Sequence, residues 1–305
     1  MIKIGPVHGA DAKAFAALTY PRFRELLGAG STVDGTGRRV TSIGAILEGR
    51  PVGLALLRHR AAGGDAPGET RMLSIMVSRG YRRRGIGWGL MQHAVSAARR
   101  AESRKLIAYH SNRTRDREVF EAFLAASGWT PPKLAEFRLG GHADWTERLT
   151  KSWDPMMRRL AGLGYAAEPW DTITDDDRAV ADALVGDRES FNYRTFEPHI
   201  DPAISLVLRR HGRLVGWIFG ESPEVEGYHH YTNGYVVPEL QALGWVVAGL
   251  HDVCRRQAEI YGPKSVAVYE TVGENARMIG FMKRRLVPAG PLWVDERYSS
   301  ALALE

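Results

Sequence analysis

The sequence predicts an α/β protein in which one strand-and-helix pattern occurs twice in succession. Short β-branched and apolar runs alternate with amphipathic helical stretches along all 305 residues. The second half also repeats the order of the first at a fixed spacing. Gly244 follows Gly85 by 159 positions, and at that offset Val236 matches Val77, Gln241 matches Arg82 and Ala267 matches Ala108. A constant offset through strand, loop, helix and strand points to a duplicated unit. Length agrees, since 305 residues suit two domains of about 150 each.

The first copy opens with a strand at Ile2–Gly5 and a helical segment at Ala10–Leu27. Ser42–His59 is a hairpin turning at Glu48-Gly49-Arg50, where alternating apolar runs flank a turn pair. A Gly/Ala/Pro-rich loop, Ala61–Gly68, precedes the buried strand Met72–Val77. Ile86, Leu90, Ala94, Ala97 and Ala101 then recur at spacings of three and four, which makes an amphipathic helix with Arg99 and Arg100 in its last turn. Lys105–His110 is a strand, Asp116–Ala126 a helix ending at Gly128, and Leu134–Leu139 a strand after the Pro131-Pro132 break.

The second copy runs in the same order. Glu168–Ile173 is a strand, Asp175–Phe191 a helix, and Ile204–Gly220 a hairpin turning at His211-Gly212-Arg213. Tyr231–Val237, Trp245–Tyr261, Ser265–Glu270 and Asn275–Arg285 follow as strand, helix, strand and helix. His142–Gly164, rich in charge and Trp, reads as the connection, which puts the domains at 1–145 and 146–305.

Hydrophobic residues at 44% and charged residues at 25% are ordinary for a globular chain. No apolar run reaches the roughly 18 residues of a membrane span, and the N-terminal stretch lacks the apolar core of a signal peptide. A cytoplasmic protein without a membrane partner is expected. The one cysteine, Cys254, excludes an internal disulfide framework and a multi-cysteine metal site. Tyr228-His229-His230-Tyr231 is no better a metal site, because adjacent strand histidines point to opposite faces; no metal is expected. The net charge of +6 suits a polyanionic ligand.

Basic residues gather at Val77–Met91, VSRGYRRRGIGWGLM. A strand enters these glycines and a helix leaves them. The first turn of a helix carries backbone N–H groups without intrahelical partners, and its dipole favours negative charge. Gly85, Gly87 and Gly89 let a phosphate approach those groups, while Arg82, Arg83 and Arg84 add positive charge. A P-loop requires Gly-Lys-Ser/Thr, but Trp88 follows Gly87; a dinucleotide fingerprint requires a third glycine where Leu90 stands.

The surviving pattern, Arg82-x-x-Gly85-x-Gly87, resembles the acyl-CoA loop of the GNAT superfamily, Gln/Arg-x-x-Gly-x-Gly/Ala after the fourth strand. The upstream hairpin and the downstream strand–helix–Gly128-Trp129 ending extend the resemblance over residues 1–140. TVGENARMIGF and Gln241-x-x-Gly244 resemble the second half of tandem GNAT proteins of the mycothiol synthase type. The resemblance implies two tandem GNAT-like domains, each a mixed, mostly antiparallel central sheet with helices on both faces.

It further implies an N-acyltransferase, with acetyl-CoA or another acyl-CoA as co-substrate and an amine-bearing small molecule or peptide as acceptor. Backbone N–H groups of Arg83, Arg84, Gly85, Ile86 and Gly87, with Arg82 and Trp88 alongside, would hold the CoA diphosphate. Met76 and Val77 would pair with the pantetheine arm, and one of their N–H groups would polarise the thioester carbonyl. An amine attack also needs a base; Glu69 and His110, with Tyr109 beside it, are the candidates. The family often places a Tyr acid four residues before the Gly of Gly-Phe, where this chain has Leu124.

In the second copy the last loop glycine is replaced by Val246, and no arginines cluster there. That half reads as a degenerate domain that shapes the substrate cleft. Two other readings of the scaffold stand beside this one. An aminoacyl-tRNA-dependent transferase would use the +6 charge on tRNA, and a non-catalytic acyl-CoA-binding protein would need no acid at Leu124.

Overall fold

The computed structural model describes residues 1–304 except 8, 28–30, 34–37, 63–66, 187–191 and 222–226. Its strands are β1 (Ile2–Pro6), β2 (Ser31–Val33), β3 (Arg39–Leu47), β4 (Arg50–Arg60), β5 (Glu69–Val77), β6 (Lys105–Ser111), β7 (Lys133–His142), β8 (Tyr165–Pro169), β9 (Leu206–Arg210), β10 (Arg213–Glu221), β11 (Tyr228–Val236), β12 (Val266–Val272) and β13 (Trp293–Ala303). The α-helices are α1 (Ile86–Arg100), α2 (Arg117–Ala126), α3 (Ala143–Thr150), α4 (Asp154–Gly162), α5 (Asp175–Val185), α6 (Tyr193–Phe196), α7 (Pro238–Gln241), α8 (Trp245–Tyr261) and α9 (Ala276–Phe281).

The chain forms two compact units, Met1–Leu134 with Arg297–Glu305, and Ala135–Glu296. The sequence placed a boundary at 145/146; strand pairing puts it elsewhere. In the first unit the end of β13 lies antiparallel to β6, from Arg297↔Ser111 to Ala303↔Lys105. In the second, β7 lies antiparallel to β12, from Glu136↔Val272 to His142↔Val266. The stretch read as a connection folds as α3 and α4 within the second unit.

The first unit's strand order is β1-β3-β4-β5-β6-β13, with β2 on β3; every pairing is antiparallel except β5 with β6. The second unit's order is β7-β12-β11-β10-β9-β8, with only β11 and β12 parallel. Both are the mixed, mostly antiparallel α/β sheets that the sequence predicts. Two-residue turns with positive φ make both early hairpins, Glu48-Gly49 (50° and 76°) and His211-Gly212 (49° and 79°).

Leu90, Met91, Ala94 and Ala98 of α1 pack on Ala55, Leu57, Met72 and Leu106 of the first sheet. Phe15 and Leu18 pack with Val7 and Leu54 in a second cluster. In the second unit, Trp170, Tyr193, Trp217, Phe219 and Tyr235 form a chain of ring contacts. Gly249 of α8 meets Ile218 and Leu208, so the helix lies close on the strands.

Some expected elements change at their ends. The segment Ala10–Leu27 is two 3₁₀ stretches, Gly9–Leu18 and Pro21–Leu26, because Tyr20 before Pro21 is held extended at ψ 147°. The first strand of the second copy starts earlier, at Tyr165, and gives way to a helical turn at Trp170. The helix from Asp175 ends at Val185, before Gly186, and positions 187–191 lie outside the described residues, as do 63–66 of the predicted loop. Past Phe281 the helix expected to reach Arg285 widens into a π turn, Met282–Leu286.

Candidate active site

The glycine loop sits where β5 ends and α1 begins. Gly85 caps the helix in the left-handed region, φ 76°, and a Cβ there would meet no atom within 4 Å. The Gly89 N–H donates to the Gly85 carbonyl at 2.9 Å, the first bond of the helix. Preceding it, the N–H groups of residues 83 to 88 donate to no acceptor among the described residues. These are the partnerless donors of a helix start, extended backwards by the loop. A Cβ at Gly87 would be in ordinary contact with Phe123 at 3.5 Å and Val77 at 3.8 Å. Gly89 is different from its sequence reading: its missing Cβ makes room for the Ile4 side chain, so it serves packing.

Arg82 is a strut. Its Nε donates to the Val77 carbonyl at 3.2 Å and a terminal nitrogen to Asp116 at 3.0 Å, tying β5 to the N-cap of α2. The Arg82 hydrogen bond, foremost, holds the Asp116 carboxyl below its ordinary range. Arg83 is exposed at φ 63°, Arg84 lies over the Tyr81 ring at 5.6 Å, and Trp88 is 51% exposed.

Strand register decides which backbone groups face the opening beside β5. The Ser78 N–H donates to the Val52 carbonyl, in line with the pairs Gly53↔Val77 and Leu54↔Met76. Bonded and non-bonded pairs alternate along an antiparallel ladder. Ser74 and Met76 therefore turn their backbone groups to β4, and Ile75 and Val77 turn theirs away. A bulge between Ser74 and Met72 bends β5, and its pairing with β6 stops at Met72↔Ala108. Met76, expected from the resemblance to offer its backbone to a ligand, faces β4 instead; Ile75, which the resemblance does not single out, faces the opening with Val77.

His110 lies on β6 two residues beyond that last pair. Its side chain is 2% exposed, and its Nε2 donates to Glu121 Oε1 at 2.7 Å. Glu121 also accepts from Arg117 Nε at 2.6 Å, and this partner, foremost, keeps its carboxyl below the usual range. A charged carboxylate only accepts, so the Nε2 hydrogen faces Glu121 and Nδ1 is turned away from it. Nδ1 is buried and has no hydrogen-bond partner among the described residues. Tyr298 stacks on the ring at 5.7 Å and Phe120 meets it edge-on at 5.6 Å.

The other two candidates stand apart from this point. Tyr109 faces the opposite side of β6, with Arg71 at 4.3 Å and Arg297 at 5.8 Å from its ring. Glu69 is at the far end of β5, eight residues and roughly 26 Å of strand from Val77. There it pairs with Lys105 at 2.9 Å and Arg60 at 3.6 Å. Sequence alternation gave Glu69 its face but not its distance. Leu124 is 1% exposed in the core beside Trp129. Glu121 escaped the sequence reading; its spacing of four from Arg117 was the one local signal.

The second unit repeats the loop's bond to the preceding strand and the first bond of its helix. Gln241 donates to the Val236 carbonyl at 2.8 Å, as Arg82 does to Val77, and Gly244 caps α8 at φ 95°. Asp116 and Asn275 cap α2 and α9 at the 159-residue offset. Only the strand β12 slips: Tyr231↔Tyr269 takes the place of Met72↔Ala108, so Tyr269 rather than Ala267 matches Ala108. Gly244, unlike Gly85, is covered, with Met156 Sδ 2.8 Å from a built Cβ and Arg159 bonded to the Leu243 carbonyl at 2.9 Å.

Among the described residues, no helix is long and apolar enough to cross a membrane. The acetyltransferase (GNAT) family matches residues 14–124. No curated protein matches the sequence. A tandem GNAT protein from the clavulanic acid biosynthesis pathway superposes with TM-score 0.58 at 19% identity, over 100% of this chain and 99% of its own. A GCN5-related N-acetyltransferase from Sphaerobacter thermophilus gives 0.62 at 15% identity, over 100% and 96%. The glucosamine N-acetyltransferase region of a fungal multi-domain β-N-acetylglucosaminidase gives 0.67 at 13%, over 98% of this chain and 38% of that one. Residues 14–124 of the first unit therefore match the acetyltransferase (GNAT) family, and the whole chain has the fold of a tandem GNAT protein.

Proposed function

We propose that this protein is an acyl-CoA-dependent N-acetyltransferase whose first unit binds acetyl-CoA, acting in the cytoplasm on the amine of a small molecule or peptide. The observation that carries the reading is the run of partnerless N–H groups from residue 83 to 88 beside the open edge of β5. Together with the dipole of α1 they make a seat for the CoA diphosphate. Arg83 and Arg84 add charge at its rim, while Arg82 holds the loop in shape.

The pantetheine amides would pair with Ile75 and Val77 as an added strand does. The acceptor nitrogen attacks the thioester carbon, the carbon–sulfur bond breaks, and the thiol leaves after gaining a proton while the amine loses one. A backbone N–H aimed at the carbonyl oxygen stabilises the charge that develops there. In this reading His110 handles a proton and Glu121 orients it, supported by their 2.7 Å bond beside the opening. Glu69 has no part in the chemistry.

Calorimetric titration of the whole protein with acetyl-CoA tests the reading. Saturation with release of free CoA on adding an amine supports it, and absence of acetyl-CoA binding overturns it.

A further inference from the structure

We propose that the second unit holds a ligand site of its own, for a slim, neutral chain that carries an amide and an apolar end but no nucleotide. This goes beyond the proposed reaction, which uses the first unit alone. A cavity of about 220 Å³ lies between β11 and β12, beside α8 and α9. At about 30 Å³ each it has room for roughly seven waters. Val246, Leu250, Met278, Phe281, Met282 and Leu286 give it apolar walls.

The polar edge of the cavity follows from register. The Val237 N–H donates to the Val215 carbonyl, in line with Gly216↔Val236 and Ile218↔Gly234. By alternation, Gly234 turns its N–H and carbonyl away from β10. Pairing of β11 with β12 stops at Tyr231↔Tyr269, so no strand meets those groups, and Gly234 lines the cavity. A donor and an acceptor on one residue at a strand edge match a secondary amide laid alongside.

Charge and shape exclude a nucleotide. The charged residue on the lining is Glu270, paired with Arg138 at 2.7 Å, and its carboxylate disfavours an anion. At the start of α8, Met156 covers Gly244, Arg159 is bonded to the Leu243 carbonyl, and Val246 stands where the first unit has Gly87. A diphosphate has no seat there. An amide chain entering between the strands needs none.

The test uses pantetheine, which has two amides and no phosphate, with the full chain carrying Gly87→Glu to remove the first unit's diphosphate seat; the second-unit site is the one that filling the cavity abolishes. Calorimetry should give one pantetheine site per chain, with CoA at least tenfold weaker. Adding Val246→Trp, which fills the cavity, should weaken pantetheine at least tenfold without moving the melting temperature. Leu250→Phe serves the same purpose should the tryptophan variant fail to fold. No pantetheine binding to Gly87→Glu, equal affinity in the filled variants, or CoA binding as well as pantetheine would overturn the proposal. Failure of the first-unit reading shows separately, as wild-type acetyl-CoA affinity indifferent to Gly87→Glu.

Discussion

Gly87 separates a folding role from a ligand role more cleanly than any other position in the loop. It lies in the first turn of α1 without a left-handed φ, and an added Cβ would rest at 3.5 Å from Phe123 and 3.8 Å from Val77, ordinary van der Waals distances. Gly87→Ala should therefore fold, and should gain up to about 1 kcal/mol because alanine favours a helix over glycine. Gly87→Glu places a carboxylate where the diphosphate is proposed to sit. At about 4 Å and an effective dielectric near 20, one pair of like charges costs about 4 kcal/mol, roughly a thousandfold in affinity. Acetyl-CoA titration beside thermal melting of the three proteins checks both halves of the expectation. A glutamate variant that melts like the wild type and binds acetyl-CoA as tightly would refute the cradle.

Four more outcomes follow from the geometry. His59 is buried between Thr41 and Thr70, and burial, helped by Arg39, lowers its pKa from 6.5 to about 4. The unfolded chain thus binds the extra proton between pH 6.5 and 4. Stability should fall by about 3 kcal/mol across that window as pH drops, and urea titrations of His59→Gln should lose this part of the slope. Glu69→Gln should leave kcat/KM unchanged and cost under about 1 kcal/mol, since its ion pairs are partly exposed; a hundredfold loss of activity would restore it as the base. Arg82→Ala removes the strut to Val77 and Asp116, so acetyl-CoA affinity should drop about tenfold, the size of one charge-assisted bond. Asp177→Ala should cost about 1.5–3 kcal/mol, because the buried Arg209 loses two bonds of 2.8 Å but keeps its ion pair with Glu168, and denaturant melts read this directly.

What the sequence makes legible is what local chemistry dictates. The start of α1 after Gly85, the full span of α8, both hairpin turns and the N-caps at Asp116 and Asn275 each depend on residues a few positions apart. Long-range pairing is not written that way. The pairing of β7 with β12 and of the end of β13 with β6 joins Glu136 to Val272 and Arg297 to Ser111, and no periodicity signals either. The bulge in β5 has the same effect on the site. One extra residue between Ser74 and Met72 resets which backbone groups face outward, so the opening falls to Ile75 and Val77 instead of Met76. Glu121 reaches His110 only once α2 has folded back along β6.

The two copies of the loop separate what folding requires from what a ligand requires. Gly85 and Gly244 both hold φ values that an L side chain adopts only with strain, 76° and 95°, so the turn demands glycine in each copy whatever it binds. Arg82 and Gln241 both supply a donor to the strand carbonyl before the turn, so the bond persists although the charge does not. Gly87 has no such reason to be glycine, because a methyl group fits and the helix would gain by it. Its counterpart Val246 is relieved of the constraint and turns a branched side chain into the second cavity. A glycine that costs stability and serves no turn is explained by space kept clear for something else. The arginines Arg83 and Arg84 beside it, absent from the second copy, favour the anion proposed to occupy that space.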